Sequence, residues 1–357
     1  VLSALIDQLR SGQSLDRAQV SQAVRDLIDE HVAVEAKAEL LIALAQKGET
    51  AEEITAFALE LRQLSIAAPL DAALRDREIL DVCGTGGDRL NTFNISTTVA
   101  LIAAAAGITV AKHGNRAITS QAGSADVLEA LGIRIDLPPA EAARMLAEHQ
   151  FAFFFAPRYH PVFQQINPAR RLCAERGQRT LFNFLGPLLN PARPSAQLIG
   201  VPNPQLCEPI GRVLQSLGVR RGMILSGRVD GHGKEASAGS SPAYLDELST
   251  LGENTIAEFY QDRGFAVSTL SHEHFPLRPA VLADLAGGDR TANAAIVRNL
   301  LSGEDQGPKR DAVLLNAAAA LFVGGRTRSL SEGWATAAEM IDSGRASAKL
   351  DRLRLWT

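Results

Sequence analysis

The sequence predicts an α/β protein: a small N-terminal helical bundle joined to a large α/β domain with a central, mostly parallel sheet. Three observations predict it. Residues 1 to about 70 show only helical periodicity. From Glu78 onward, short apolar runs alternate with helical ones, the signature of a largely parallel sheet. Two strand–polar loop–helix units then follow one another, which places both loops at one sheet edge if their strands are parallel neighbours.

Taken in order, Leu2, Leu5, Ile6 and Leu9 form the apolar stripe of a first helix. Asp16 caps a second, with Val20, Val24, Leu27 and Ile28 inward. An amphipathic run over 34–47 ends at Gly48, and Thr50 caps a fourth helix whose first turn carries Glu52 and Glu53, where the helix dipole favours them. This bundle holds few chemically active residues, so packing or dimerisation is its expected role. A linker over 69–77 leads to the α/β part. There the pattern predicts a strand at 79–83, a helix from Ser96, a strand at 108–111, helices at 127–131 and 138–149, and a strand at 151–155. A loop at 157–160 precedes a helix at 162–175, interrupted by Pro168 and expected to return to the bundle. Further on come a helix at 205–217, a strand at 223–225, and a Gly/Ser-rich stretch at 227–242 expected to be a mobile loop. Antiparallel additions follow at 256–260 and 266–270, then helices at 292–301, 311–323 and 331–341.

Composition narrows the function. The 357 residues are enough for two domains, and 46% are apolar. A net charge of −4 with 5% aromatics argues against nucleic acid as a partner. Cys83, Cys173 and Cys207 are odd in number and far apart, which fits neither a disulfide framework nor a metal site. No apolar stretch is long enough for a membrane span, so a soluble, cytoplasmic protein is the expectation.

The chemistry concentrates around residues 81–97, DVCGTGGDRLNTFNIST. A strand feeds the glycine-dense turn Gly84-Thr85-Gly86-Gly87-Asp88, and Asn94-Ile95-Ser96-Thr97 opens an apolar helix. Glycines let backbone approach a phosphate closely, and turn N–H groups and a helix N-terminus both attract an anion. No Gly-Lys-Ser/Thr follows, so this is not the Walker loop, and the helix begins too late for a dinucleotide fingerprint. An ordinary turn is the competing reading. Lys112, His113 and Arg116 leave the end of the second strand, either as a surface charge cluster or as a site at a parallel sheet's C-terminal edge. Asp246 and Glu247 are either a solvated pair or ligands of Mg²⁺ beside a phosphate; both can serve one ion only if the chain turns there. No serine elbow, Cys–His pair or zinc spacing appears. The inventory suits displacement of an anionic leaving group by positioning and electrostatics.

With these residues on view, the chain resembles the anthranilate phosphoribosyltransferases. GTGGD with NIST, then KHGNR with GSADVLEALG, RTLFNFLGPLLNP, LDELS and GPKRDAVLLNAAAAL occur in the family's order, and the N-terminal bundle matches as well. The resemblance implies a fold of the nucleoside phosphorylase/phosphoribosyltransferase type. It implies transfer of phosphoribose from 5-phosphoribosyl 1-pyrophosphate to the amine of anthranilate, in tryptophan biosynthesis. Gly84, Gly87, Asp88, Thr92, Asn94, Ile95, Ser96, Thr97, Lys112, His113, Gly114, Asn115, Arg116, Ala117, Ile118, Thr119, Ser120 and Ser124 would hold phosphoribosyl pyrophosphate. Gly84, His113, Asn115 and Arg170 would meet anthranilate, and Ser96, Asp246 and Glu247 would ligate Mg²⁺, with two ions expected. The resemblance also implies a homodimer through the helical domain, taken as residues 1–72 joined by a helical segment at about 162–186, with 73–161 and 187–357 forming the large domain. Three departures stand out: Gln121-Ala122 in place of Lys-Ser, the long stretch at 227–242, and extra residues between Arg170 and Arg179. A nucleoside phosphorylase would use the same cradle, but the paired carboxylates argue for a metal-clamped pyrophosphate. A nucleic-acid-binding paralogue would show a basic surface and broken carboxylates.

Overall fold

A computed structural model of the chain describes residues 2–117, 121–230, 242–261 and 263–356. Four helices open it, Leu2–Arg10, Arg17–Ile28, Val34–Lys47 and Ala51–Gln63. Asp16 and Gln19 form a reciprocal capping box at the second, and Thr50 and Glu53 form one at the fourth. Glu53 does more than complement a dipole: it is buried, accepts the Leu15 N–H at 2.9 Å and pairs with Lys47 at 2.6 Å, tying three segments together. Gly48 ends the third helix at φ +87°, a conformation that excludes most side chains.

Among the described residues the sheet has eight strands: β1 (Ile79–Gly84), β2 (Thr109–Gly114), β3 (Phe151–Phe155), β4 (Ala196–Gly200), β5 (Arg221–Val229), β6 (Ala243–Leu245), β7 (Asn254–Tyr260) and β8 (Gly264–Leu270). Their order is β3-β2-β1-β4-β5-β7-β8, with β6 paired to β5. The first five are parallel and β6, β7 and β8 run antiparallel, as the sequence pattern predicts for the last two. Side-chain alternation splits the sheet between two cores. Leu80, Val82, Leu198 and Leu225 face helices Ile95–Ala105 and Pro308–Val323. Ile199, Ile224, Ala257 and Phe259 belong to an apolar core continuous with the four N-terminal helices.

Several elements differ from expectation. β4 lies at the centre of the sheet, although its run AQLIG sits between two prolines and lacks the alternation that signals a strand. β2 runs through Gly114, so Lys112 and His113 are strand residues rather than loop residues; pairing with β3 as far as Gly114↔Phe155 extends it. Gly227–Val229 belong to β5, held by β6 and β7, and residues 231–241 of the expected loop lie outside the described residues. Helix Phe163–Glu175 continues through Pro168 without interruption, and residues 156–159 form a helical turn. The linker contains a short helix, Ala72–Arg75, and a last helix, Arg345–Arg354, was not anticipated. Among the described residues no helix is long and apolar enough to cross a membrane.

Candidate active site

The C-terminal ends of β1, β2 and β4 converge on one cleft. β1 ends in Gly84, paired with Gly200 of β4. A Cβ on Gly84 would overlap the Asp246 carboxylate, and one on Gly200 would overlap the Asp246 carbonyl. These two glycines therefore let the segment after β6 cross the sheet edge in direct contact with the backbone. β6 stops at Leu245 and the chain bends through Asp246 and Glu247, the turn needed for both carboxylates to face one place.

The glycine turn meets these acids. Gly86 (φ +77°) and Gly87 (φ +88°) are left-handed, and so are Arg89 and Asn91. The Gly86 N–H donates to Asp246 Oδ2 at 2.6 Å, and the Ser96 N–H, at the start of helix Ile95–Ala105, donates to Glu247 Oε1 at 3.1 Å. The donors of a cradle and of a helix N-terminus are thus aimed at oxyanions, here the protein's own. Burial, then Asp88, then Glu247 push the Asp246 carboxyl well above its usual range. Burial raises Glu247 to about 8 even though Lys112 and the Ser96 N–H favour its anion.

Lys112 is buried, its Nζ donating to the Val82 carbonyl at 2.7 Å and to Ser96 Oγ at 3.4 Å. Asp81, fully buried beneath it, accepts from Asn190 Nδ2 at 2.9 Å and from the His113 N–H at 3.3 Å, and burial raises its carboxyl to about 6. Burial lowers the Lys112 amine, and Asp81 opposes that shift. Beyond β2, Gly114 is required because a Cβ there would overlap Ser124 Oγ, which itself reaches the Asn115 carbonyl at 3.5 Å. Asn115 is exposed, its Oδ1 accepting from the Arg116 N–H at 2.8 Å. Arg116 is turned into ion pairs with Asp126 and Glu129 at 3.0 and 2.9 Å, and the Ala117 N–H also bonds Asp126. Ile118, Thr119 and Ser120 lie outside the described residues. Asn94 is fixed by Asn293 at 2.9 Å and donates to the Ala122 carbonyl, Thr92 bridges to Ala286, and Thr97 is buried in the helix's first turn.

The other side of the cleft is aromatic. His113 and His160 meet through Nε2 atoms 3.3 Å apart, His160 packs edge-on against Phe163, and Phe163 against Phe182. The Arg170 guanidinium lies 5.3 Å from the Phe182 ring centre and 5.9 Å from that of Phe163, hydrogen-bonded to Asn167. Burial first, and then His160, lower His113 to about 3, and burial lowers His160 to about 4, so both imidazoles are neutral at physiological pH. Arg179 reaches the opposite side: its guanidinium donates to the Gly87 carbonyl at 3.0 Å. Sequence reasoning missed Gly200, His160, Phe163, Phe182, Asn190 and the reach of Arg179. Phe182 and Asn190 lie inside the RTLFNFLGPLLNP motif, where Asn190 is a polar residue closing an apolar run.

The donor set fits a hard divalent cation. Asp88, Asp246 and Glu247 crowd like charges together, and two of them are driven toward protonation in the absence of a cation. Among the described residues no three His, Cys, Asp or Glu side chains form a complete metal cage. Mg²⁺ commonly takes only one or two carboxylates and completes its shell with water and substrate phosphate.

A bundle-plus-parallel-sheet chain with an oxyanion cradle at the sheet's C-terminal edge is built to bind a phosphate-bearing substrate, and the family comparisons give the class as a glycosyltransferase. The α/β domain of a glycosyl transferase family matches residues 76–347, and that family's helical bundle domain matches residues 3–65. The anthranilate phosphoribosyltransferase of Moorella thermoacetica is 44% identical over 358 residues, covering 100% of this chain and 98% of that one. That of Petrotoga mobilis is 41% identical, covering 98% and 94%. The crystal structure of the Thermus thermophilus anthranilate phosphoribosyltransferase matches with a TM-score of 0.84 at 39% identity, covering 98% of each chain. The Saccharomyces cerevisiae enzyme in complex with phosphoribosyl pyrophosphate and Mg matches at 0.83 and 26%, covering 99% and 96%. The chain belongs to the anthranilate phosphoribosyltransferase family.

Proposed function

We propose that this chain transfers the phosphoribosyl group of 5-phosphoribosyl 1-pyrophosphate to the amine of anthranilate, releasing pyrophosphate, in tryptophan biosynthesis. The observation that carries this reading is the convergence of the glycine turn, the Ser96 helix start and the Asp246–Glu247 bend at the ends of β1 and β4.

The backbone N–H groups of the turn and of Ser96 bind the substrate's phosphate oxygens, replacing the carboxylates they now hold. Gly84, Gly87, Asp88, Thr92, Asn94 to Thr97, Lys112 to Ser120 and Ser124 make up this subsite, with Arg179 added from the structure. Lys112 supplies a buried positive charge under the pyrophosphate. Ser96, Asp246 and Glu247 would hold Mg²⁺, with two ions and Asp88 beside them. When bound, Mg²⁺ offsets negative charge on the departing pyrophosphate. At the aromatic side, Arg170 pairs with the anthranilate carboxylate through its planar fork, while Gly84, His113 and Asn115 border the ring. The C1–O bond to pyrophosphate breaks and a C1–N bond forms; the neutral aniline nitrogen needs no strong base before it attacks, and the proton it sheds once the bond has formed passes to the departing pyrophosphate or to solvent. The neutral imidazoles of His113 and His160 suit that requirement, since they place no cation beside the positive charge developing at C1. The test is the decay of anthranilate fluorescence on adding phosphoribosyl pyrophosphate and Mg²⁺; fluorescence unchanged with all three present would overturn the reading.

Residues 1–72 with the segment at about 162–186 form the small domain, and 73–161 with 187–357 the large one. Packing of helix Phe163–Glu175 on Val34–Lys47 supports this division. A homodimer through the helical domain is part of the proposal; sedimentation of a monomer at micromolar concentration would refute it. Free cysteines at 83, 173 and 207 are consistent with a cytoplasmic setting.

A further inference from the structure

At the opposite end of the sheet from the active site lies a cavity of about 440 Å³ that the transfer reaction does not use. Its walls come from three parts of the fold. Leu59 and Arg62 belong to the bundle helix Ala51–Gln63, Arg75 to the linker helix, and Arg193, Ser195 and Arg220 to the loops entering β4 and β5. Strands of five or six residues, at about 3.3 Å each, separate it from the glycine turn by roughly 17–20 Å.

Four guanidinium groups line this space. Arg220 is neutralised by Glu78 at 3.3 Å. Among the described residues Arg62, Arg75 and Arg193 have no carboxylate partner. Arg62 is only 8% exposed; its Nε donates to the Leu188 carbonyl at 2.6 Å, and its two terminal nitrogens make no hydrogen bond among the described residues. Arg75 donates to the Ala192 carbonyl at 2.5 Å. Arg193 sits at φ +47°, a backbone conformation few residues adopt, and makes no side-chain hydrogen bond among the described residues. The cations also act on one another: burial, and then Arg193, lower Arg62 to about 10, and the same two causes lower Arg75. The buried Arg62 guanidinium, with its terminal nitrogens unbonded, is costly without a partner, and the exposed Arg75 and Arg193 add positive charge at the same space, so an anion seated there would balance all three.

We propose that this cavity is a second anion site, which takes a small organic or inorganic oligophosphate and bridges the helical bundle to the N-terminal edge of the sheet. The volume exceeds that of one phosphate, and the fork geometry of several guanidiniums suits phosphate oxygens. The Leu59 and Val219 wall leaves room for an apolar substituent on the ligand.

Calorimetry with inorganic tripolyphosphate, free of Mg²⁺ and at matched ionic strength, tests it on the full chain. Wild type and Gly86→Val, whose altered turn lies at the active site, should both bind one equivalent. Arg193→Asn, which keeps a left-handed backbone accessible, should weaken binding at least tenfold, and Arg75→Gln combined with it should abolish binding, with the Mg²⁺-dependent transfer rate unchanged. Equal affinity in wild type and Arg193→Asn, or loss in Gly86→Val alone, would place the anion elsewhere and overturn the proposal. So would absence of binding in wild type. If wild type instead self-associates and Arg193→Asn does not, the cavity receives an acidic protein segment and not a phosphate ligand.

Discussion

At one end of the cleft, Asp88, Asp246 and Glu247 crowd together against left-handed glycines, each accepting a backbone N–H, from Leu90, Gly86 and Ser96 respectively. At the other, Arg170 rests on Phe163 and Phe182, and two histidines share a contact while staying neutral. The first end concentrates carboxyl groups that share burial and mutual repulsion, which protons or a bound cation can balance. The second holds a single cation already accommodated by ring faces. Occupancy therefore matters differently: the acidic end stores repulsion that a cation relieves, whereas the aromatic end is preorganised without a ligand.

The largest effect expected from breaking this contrast comes from Gly200→Ala. The added carbon meets the Asp246 backbone, so the bend that presents the acids must shift. Melting should show a loss of about 1–3 kcal/mol, the usual cost of overpacking, and the transfer rate should fall by about 10²–10³. Gly177→Ala, a left-handed glycine whose Cβ would meet nothing, controls for strain alone and should keep its rate.

Next in size, Asp246→Asn with Glu247→Gln should lower the rate about a hundredfold and raise the Mg²⁺ requirement. An unchanged Mg²⁺ titration would remove both from the metal site. The same acids give a pH signature. The folded pKa of Glu247, about 8, lies above its unfolded value of 4.5. At this group the folded state thus binds more protons, so the Glu247 contribution to metal-free stability should fall as pH rises from about 4.5 through 8, most visibly above pH 6.5, where the opposing gain from the neutral His113 and His160 is complete. Saturating Mg²⁺ or Glu247→Gln should flatten that decline; thermal melts at pH 5, 7 and 9 decide it. Both side chains keep some solvent access, so the slope will be shallower than for a sealed site.

At the aromatic end, Arg170→Ala should raise KM for anthranilate about ten- to a hundredfold and leave KM for phosphoribosyl pyrophosphate nearly unchanged. Arg170→Lys should recover part of the loss. Arg179→Ala should do the reverse, weakening phosphoribosyl pyrophosphate several-fold, because its guanidinium sits on the glycine turn. If Arg179→Ala carries the anthranilate defect instead, the two ends have been assigned the wrong way round. The smallest expectation is a flat profile: with His113 near 3 and His160 near 4, kcat/KM should show no histidine titration between pH 5.5 and 8.

What the sequence alone determined is local. Capping pairs such as Thr50 with Glu53, the glycine turn after β1, the Asn94–Thr97 helix start and the alternation of strands with helices all follow from neighbours within a few residues, where backbone sterics and periodicity act. Tertiary structure alone decided which distant groups meet. That β2 carries Lys112 and His113 into the interior depends on pairing with β3, about forty residues on, and no local signal encodes it. The need for glycine at 200 exists only because Asp246 crosses there, and Arg170 and Arg179, nine residues apart, lie at opposite ends of the cleft, the first on the Phe182 ring and the second on the Gly87 carbonyl. Long-range contacts of this kind are set by packing the whole sheet against the bundle, so their energies appear only once the chain has closed on itself.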